Sequence, residues 1–507
     1  MSLLTHHPVG TPVPDTPHAV CSSLPTMADV IAYEESQARI LQALKAGYPR
    51  FIRHPLVLQA AQVLAQENNL ATSQVVPLAS QRLASALAKF LGLPQTRVLE
   101  HAGVSALAIP EDPEQATRAK RFLQHTGSGL SSRAAEDFLA RTGYISGTHP
   151  EVLASDAVEA ENDLRAAVSR YTGAAPEDLI PCASGMNAFY SLVHAIDRVQ
   201  GPRGRTLWLQ LGWAYVDTTE VLRKFTSGGE NGLLQVVRID DFEAVEKIFR
   251  QHGAQLAGVI AEAPTNPLLQ SGNCRRLSEL CYQHGACLVL DPSTVGLANL
   301  RLLEYADVVT SSLTKYWANE GDVMAGLLAF NAASPFHADL RAAFGQGHLP
   351  LYERDLRRLA QQIPGMPEVV QAINANTREL VPWLESLPEV KAVHWAGEAS
   401  TAAELAALDT SWGPGSLVTI EIEGALERFF DALRLVKGPS FGLRFSLSCP
   451  FMYLAHYPQA STSQGRRELL AQGLNPDLIR LSVGTESQSE IRAAITDGVT
   501  ALRNNTR

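Results

Sequence analysis

The strongest constraint on this chain is a series of short, mostly apolar segments alternating with helical patterns between residues 155 and 330. The segments are Thr206–Gln210, Ala257–Glu262, Ala286–Asp291, Ala306–Ser311 and Ala325–Phe330. Helical spacing fills 216–226, 241–252, 274–284 and 297–303. A strand that is apolar on both faces must be covered on both faces, and an intervening helix makes successive strands parallel. An α/β core with a mostly parallel sheet is therefore expected. Ligands bind such sheets beyond the carboxyl ends of the strands. That edge holds Glu262, Asp291 and the segment after Ser311.

A chain of 507 residues exceeds one ordinary core, so flanking units are expected. Residues 1–22, with four prolines and three histidines in the first twenty, read as a disordered tail. Residues 23–140 read as a mostly helical extension, with spacings of three and four over Met27–Ala46, Val57–Gln66 and Leu78–Leu91. The large domain is placed at 141–385, starting with a helix at Glu159–Tyr171 and leaving through a long helix at Met366–Leu387. Residues 386–507 read as a smaller α+β domain. Its strands are expected at Leu417–Ile422, Arg444–Leu447 and Leu478–Val483, and its helices at Leu426–Leu435 and Gln488–Arg503.

Net charge of −10 argues against a nucleic-acid partner. No run of eighteen apolar residues suggests a membrane span, and the start lacks a signal-peptide core. The six cysteines form no CxxC pair, so neither a zinc site nor any other metal is expected, and Cys182, Cys281 and Cys287 read as buried thiols. A reducing, cytoplasmic location is the simple inference.

Three signals fall on the functional edge. Ser184-Gly185-Met186 opens a helical pattern with apolar positions at 186, 189, 192, 193 and 196. A glycine turn at a helix start offers backbone N–H groups and the positive end of a dipole to a phosphate, although it is also a common structural feature. Asp291 ends an apolar strand, where an acid either pairs with a pyridinium nitrogen or caps the next turn. Ser311-Ser312-Leu313-Thr314-Lys315-Tyr316 follows the next strand. A lysine between hydroxyls there either forms an imine while the hydroxyls bind phosphate, or is a solvated loop residue. Only 8 of the 42 basic residues are lysines, which gives Lys315 weight.

Taken together, and spaced 107 and then 24 residues apart, these signals resemble the Cys/Met-metabolism branch of the fold-type-I (aspartate-aminotransferase-like) enzymes that use pyridoxal 5′-phosphate (PLP). Glu262-Ala263-Pro264-Thr265-Asn266-Pro267 is similar to that family's E-x-P-[ST]-N-P segment. Ala306-Asp307-Val308-Val309 with the following lysine loop, and Asp322-Val323-Met324-Ala325-Gly326, are similar to two more. The resemblance implies PLP held as a Schiff base on Lys315. It implies phosphate contacts from Ser184, Gly185, Met186, Ser312 and Thr314. Tyr215 would stack on the ring and act as acid or base, or else is a core aromatic. Asn266 would meet the phenolic oxygen or the substrate, and Asp291 the ring nitrogen. Ser293 stands two residues on, with Pro292 where the family usually has asparagine. Leu478–Glu486 is similar to the R-[ILV]-S-x-G-x-E strand, whose arginine, here Arg480, grips a substrate α-carboxylate bidentately. Ser440-Phe441-Gly442 resembles the S-L-G loop on the substrate side.

Further segments resemble fungal-type cystathionine γ-synthases. They are Ser23–Thr26 with Tyr33-Glu34, Gly47-Tyr48-Pro49-Arg50-Phe51, His125–Arg133, Lys437–Gly442 and Tyr453–Tyr457. The likeness spans roughly residues 23–495. It implies γ-replacement on an O-acylhomoserine by a thiol such as cysteine, giving cystathionine, in a homodimer or homotetramer acting on small amino acids. Two positions depart from the family. Its Tyr-x-Arg pair for the neighbouring subunit's phosphate has only Tyr144-Ile145-Ser146 as counterpart, with Arg133 the candidate substitute. The glutamate that many cystathionine-handling members carry before the S-L-G loop is Pro439. Elimination from cystathionine or a related amino acid, replacement by another nucleophile, and a non-catalytic family member are the competing readings.

Overall fold

A computed structural model describes residues 3–46, 52–345, 347–398, 403–404 and 413–504. The expected Gly47–Phe51 segment lies outside the described residues. Among the described residues no helix is long and apolar enough to cross a membrane.

Of the expected disordered tail, residues 1 and 2 lie outside the described residues, and much of 3–22 is packed. Strands β1 (Pro12–Val13) and β2 (Cys21–Ser22) pair antiparallel. Val13 and Cys21 cluster with Val436, Leu443, Phe445 and Leu447 of the far end of the chain. His18 is buried, its ring nitrogens 3.0 Å from Ser132 Oγ and 3.2 Å from Glu136 Oε2. Burial and these bonds outweigh the entropy of ordering a proline-rich segment.

The extension holds helices at Met27–Glu34, Ala38–Ala43, Pro55–Glu67, Gln81–Leu91, Pro113–Thr126 and Ser132–Arg141. It also holds an antiparallel sheet that the helical reading omitted. Strands β3 (Val75–Leu78), β4 (Val98–His101) and β5 (Val104–Ala108) lie in the order β3-β5-β4. A run buried at every position such as Val104–Ala108 shows no period, so spacing alone does not separate strand from buried helix.

The large sheet contains β6 (Leu179–Cys182), β7 (Leu207–Leu211), β8 (Leu233–Val236), β9 (Leu256–Glu262), β10 (Cys287–Asp291), β11 (Val308–Ser312) and β12 (Gly326–Phe330). Their order is β6-β12-β11-β10-β9-β7-β8, and only β12 runs against its neighbours. All five expected strands are present within two residues; β6 and β8 were not anticipated. Residues 297–303, expected as a helix, form turns instead. Leu297, Ala298, Leu300 and Leu302 are buried there, so their spacing records packing rather than helix periodicity.

Helix Met366–Glu385 leads into a second sheet of β13 (Val390–Trp395), β14 (Leu417–Ile422), β15 (Val436–Lys437), β16 (Leu447–Cys449) and β17 (Ile479–Ser482), in the order β13-β14-β17-β16-β15. The strand expected at Arg444–Leu447 starts later because Ser446 is diverted. Its N–H and Oγ both donate to the Glu486 carboxylate, each at 2.8 Å.

Candidate active site

A cavity of about 390 Å³ opens beyond the carboxyl ends of β9, β10 and β11. Ser184, Gly185, Met186, Tyr215, Asn266, Asp291, Ser293, Ser312, Thr314, Lys315 and Arg480 all line it. Ser440 joins them through a bond, accepting from Lys315 Nζ at 2.9 Å. Residues spread over almost three hundred positions thus converge on one hollow, because parallel strands deliver their carboxyl ends to the same edge.

Lys315 is 7% exposed. Its loop makes a tight turn in which the Lys315 N–H donates to Ser312 O and the Ala318 N–H to Leu313 O. Tyr316 follows in the left-handed region, at φ 65°. That conformation is costly for a bulky residue and persists only where the surroundings hold it. Here the Tyr316 hydroxyl donates to Thr294 O at 2.7 Å and its N–H donates to Gly442 O at 2.8 Å. Tyr316 therefore fastens the lysine loop to the C-terminal unit, the same unit that carries Ser440 and Arg480.

Helix Gly185–Gln200 points its amino end at the cavity, and Ser184 caps it by accepting the Asn187 N–H at 3.1 Å. A Cβ on Gly185 would lie 3.0 Å from the Cβ of Ser312, so only glycine lets the helix start and the lysine loop approach this closely. The expected hydroxyls divide in their duties. Ser312 faces the cavity. Thr314 Oγ1 donates to Ala325 O at 3.3 Å and accepts the Ala325 N–H at 3.0 Å, which ties it to β12. Ser293 accepts the Ser312 N–H at 2.8 Å and donates its own N–H to Asp291 Oδ1 at 2.8 Å. It thus locks the aspartate to the lysine loop.

The electrostatics are those of a site awaiting charge. Asp291 and Glu262 stand side by side in register on β10 and β9. Burial raises the Asp291 carboxyl to about 6, against the bonds from Ser293 that favour its charged form. Burial and the neighbouring Asp291 hold Glu262 well above the usual carboxylate range. Arg480 is buried between the rings of Phe441 and Phe451, 5.1 and 5.0 Å from their centroids. Its Nη1 donates to Asn266 Oδ1 at 3.3 Å. Lys315 Nζ lies 4.7 Å from the Phe441 ring centre. His456 also lines the cavity, its ring 5.2 Å from that of Trp213, and burial lowers it to about 4, so it is neutral near pH 7.

Arg133 does not belong to this site. It is 1% exposed and faces a separate hollow of about 570 Å³. Glu151, Asp322 and Asp355 surround its guanidinium. Three buried carboxylates claim the cation, so none of its charge is left for a phosphate. Tyr144 is 49% exposed and donates to Gln66 Oε1.

These features fit PLP. An amine, a carboxylate one strand away and a glycine-tight helix start match its aldehyde, ring nitrogen and phosphate in turn. The family of Cys/Met metabolism PLP-dependent enzymes matches the chain over residues 162–500. The chain belongs to this family. Its cofactor is accordingly pyridoxal phosphate, and its architecture is PLP fold type I. An L-2-amino-4-chloropent-4-enoate dechlorinase/desaturase of Streptantibioticus cattleyicolor is 36% identical over 489 residues, covering 96% of this chain and 97% of that protein. A cystathionine γ-synthase of Neurospora crassa is 26% identical over 614 residues, covering 95% and 96%. The solved cystathionine γ-synthase of Xanthomonas oryzae pv. oryzae, in complex with aminoacrylate and cysteine, shares the fold with a TM-score of 0.59 at 21% identity. That match covers 72% of this chain and 96% of the other.

Several cavity residues escaped the sequence reading. Glu262 was placed on the functional edge but given no role. Phe451 had no signal beyond an apolar run. Tyr33 and Glu34, named for the resemblance of their segment but given no place at the site, and Lys120, which carries no signal, come from the extension.

Proposed function

We propose that the chain replaces the acyloxy group at Cγ of an O-acylhomoserine with a thiol such as cysteine, giving cystathionine. The observation that carries this reading is the convergence of Lys315, Asp291 and Arg480 on one cavity whose mouth is walled by the extension. When bound, PLP supplies an electron sink for the charge left at Cα and Cβ.

The chain's own residues do the rest. Arg480, stiffened by two aromatic rings, holds the substrate α-carboxylate and so fixes which bond at Cα faces Lys315. The Lys315 amine takes the α-proton and then a β-proton, and returns them when the product forms. Asp291 keeps negative charge at the ring nitrogen, and Ser293 fixes its direction. Tyr215, which lines the cavity, would stack on the cofactor ring. Its N–H donates to Glu262 Oε1 at 2.6 Å, which anchors that turn. Gly185, Met186 and Ser312 hold the phosphate. The acyl group leaves as a carboxylate, the sulfur bonds to Cγ, and the thiol proton is released. At least a dimer is proposed, in keeping with the family resemblance.

A second reading is favoured by the relative of 36% identity. The chlorine in the substrate of its name sits on C4, which is also Cγ. Elimination there needs the same two proton transfers but no incoming thiol. Incubation with O-acetyl- or O-succinylhomoserine, with and without cysteine, separates the two by mass spectrometry. Cystathionine formed only with cysteine supports replacement. Keto acid formed regardless of thiol, or chloride released from 2-amino-4-chloropent-4-enoate, supports elimination. A preparation that stays colourless with excess PLP defeats both.

A further inference from the structure

The charged side chains on the cavity fall into two groups. Lys315, Glu262, Asp291 and Arg480 serve the reacting centre. Glu34 and Lys120 are left over, and both come from the extension. Glu34 ends helix Met27–Glu34, and Lys120 lies within helix Pro113–Thr126. Two separate elements therefore bring one carboxyl and one ammonium to the same wall. Among the described residues no ion pair joins the two, yet each feels the other's charge across the cavity wall. Burial raises Glu34 to about 7, against the pull of Lys120. Burial, then the nearby Arg53, lowers Lys120. Glu34 is half-buried and Lys120 only partly shielded from water, so the carboxyl above all gains from an opposite charge arriving with a ligand. Arg53 adds positive potential on the Lys120 side. His456 is neutral near pH 7, so it does not blur this two-sign pattern.

A free α-amino acid carries an ammonium and a carboxylate on one carbon. We propose that Glu34 and Lys120 form the head-group subsite for the incoming amino-acid thiol, Glu34 taking its ammonium and Lys120 its carboxylate. This rests on the replacement reading above, and it makes the extension the part of the chain that selects the nucleophile. The first amino acid keeps its own carboxylate on Arg480, so the two substrates do not compete for one cation.

The test uses the holoenzyme, an O-acylhomoserine and three thiols. Cysteine carries both charges, cysteamine only the ammonium, and 3-mercaptopropionate only the carboxylate. Charge-assisted hydrogen bonds imply about a tenfold effect per contact. Glu34→Gln lowers kcat/KM about tenfold for cysteine and cysteamine and spares 3-mercaptopropionate. Lys120→Gln lowers it for cysteine and 3-mercaptopropionate and spares cysteamine. Glu34→Asp and Lys120→Arg, which keep the charges, recover part of the loss. The KM for the acyl donor changes less than about twofold throughout. Variants that depress all three thiols equally, or none, overturn the subsite. A wild-type protein that forms no thioether with any thiol overturns the replacement reading, and the subsite with it.

Discussion

Two sets of buried carboxyls in this molecule are pushed in opposite directions. Asp291 and Glu262, at the cavity, are raised: burial dominates both, Asp291 adds its charge against Glu262, and the opposing Ser293 bonds to Asp291 and the Tyr215 N–H and Arg480 at Glu262 do not reverse the effect. Glu136 and Glu151, at the junction of the extension with the large domain, are buried too but lowered. Burial opposes them, yet bonds from His18, Arg354 and the His149 N–H bring Glu136 to about 2, and Arg133 does the same for Glu151 in direction. The cavity pair is the more deeply shielded of the two, and the sets differ in partners as well. The junction completes its charges within the chain, with Arg133 reaching Glu151, Asp322 and Asp355, and Arg354 reaching Glu136 and Asp137. At the cavity edge, on the proposed reading, a cofactor and an amino acid would complete the charges.

The largest effect belongs to the edge. Lys315→Ala removes the proposed attachment point and proton carrier together. Turnover should fall about 10⁴-fold, and the visible band of the lysine-bound cofactor should vanish. A Lys315→Ala protein that keeps the band would place the attachment elsewhere. The junction comes next. Arg133→Met removes a buried cation that Glu151, Asp322 and Asp355 share, although Glu151 keeps Arg354 and Asp322 keeps Arg358. Breaking a buried ion pair costs about 3–5 kcal/mol in comparable sites. The thermal midpoint should drop by several degrees while the folded fraction keeps its colour. An unchanged midpoint would mean that the network is not what joins the extension to the large domain.

This contrast also explains what could be read in the letters. The edge was legible because each part sits in a local pattern: an apolar strand ending in Asp291, a glycine opening a helix, a lysine among hydroxyls. The junction was not. Arg133 reads as a cation for a phosphate until its three carboxylates, contributed by segments around 151, 322 and 355, are seen around it. The tail failed for the same reason, since Val13 and Cys21 find their apolar partners more than four hundred residues away. The four-residue strands β6 and β8 are too short for spacing to announce, and Pro181 disguises the first. Glu34 and Lys120 reach the cavity only through the docking of their helices.

A smaller effect tests geometry within the edge. Arg480→Lys keeps the charge but loses the planar fork and its stacking between Phe441 and Phe451. The KM for the acylhomoserine should rise about 10- to 100-fold with kcat less affected. Equal losses in kcat and kcat/KM would instead assign Arg480 to the transition state.

The smallest effect sharpens the comparison by pH. Glu136 is held at about 2 in the folded chain, below its ordinary value of 4.5. Its contribution is therefore complete above about pH 4.5 and is lost as pH falls toward 2, because the unfolded state takes up the proton first. Asp291 works the other way. Its folded value of about 6 lies above the ordinary 3.8, so the folded chain without cofactor binds that proton more tightly than the unfolded chain. Its ionisation costs stability as pH rises from about 3.8 to 6, and the cost persists above that. A protonated ring nitrogen against the carboxylate removes that cost. The gap in thermal midpoint between the cofactor-loaded and cofactor-free protein should therefore widen as pH rises from about 4 to 6. Asp291→Asn should flatten this trend, while the decline below pH 4.5 should remain in both forms. A gap that does not change with pH in the unsubstituted protein would mean that Asp291 is already matched by a cation inside the chain, and the two carboxyl sets would then not differ in kind.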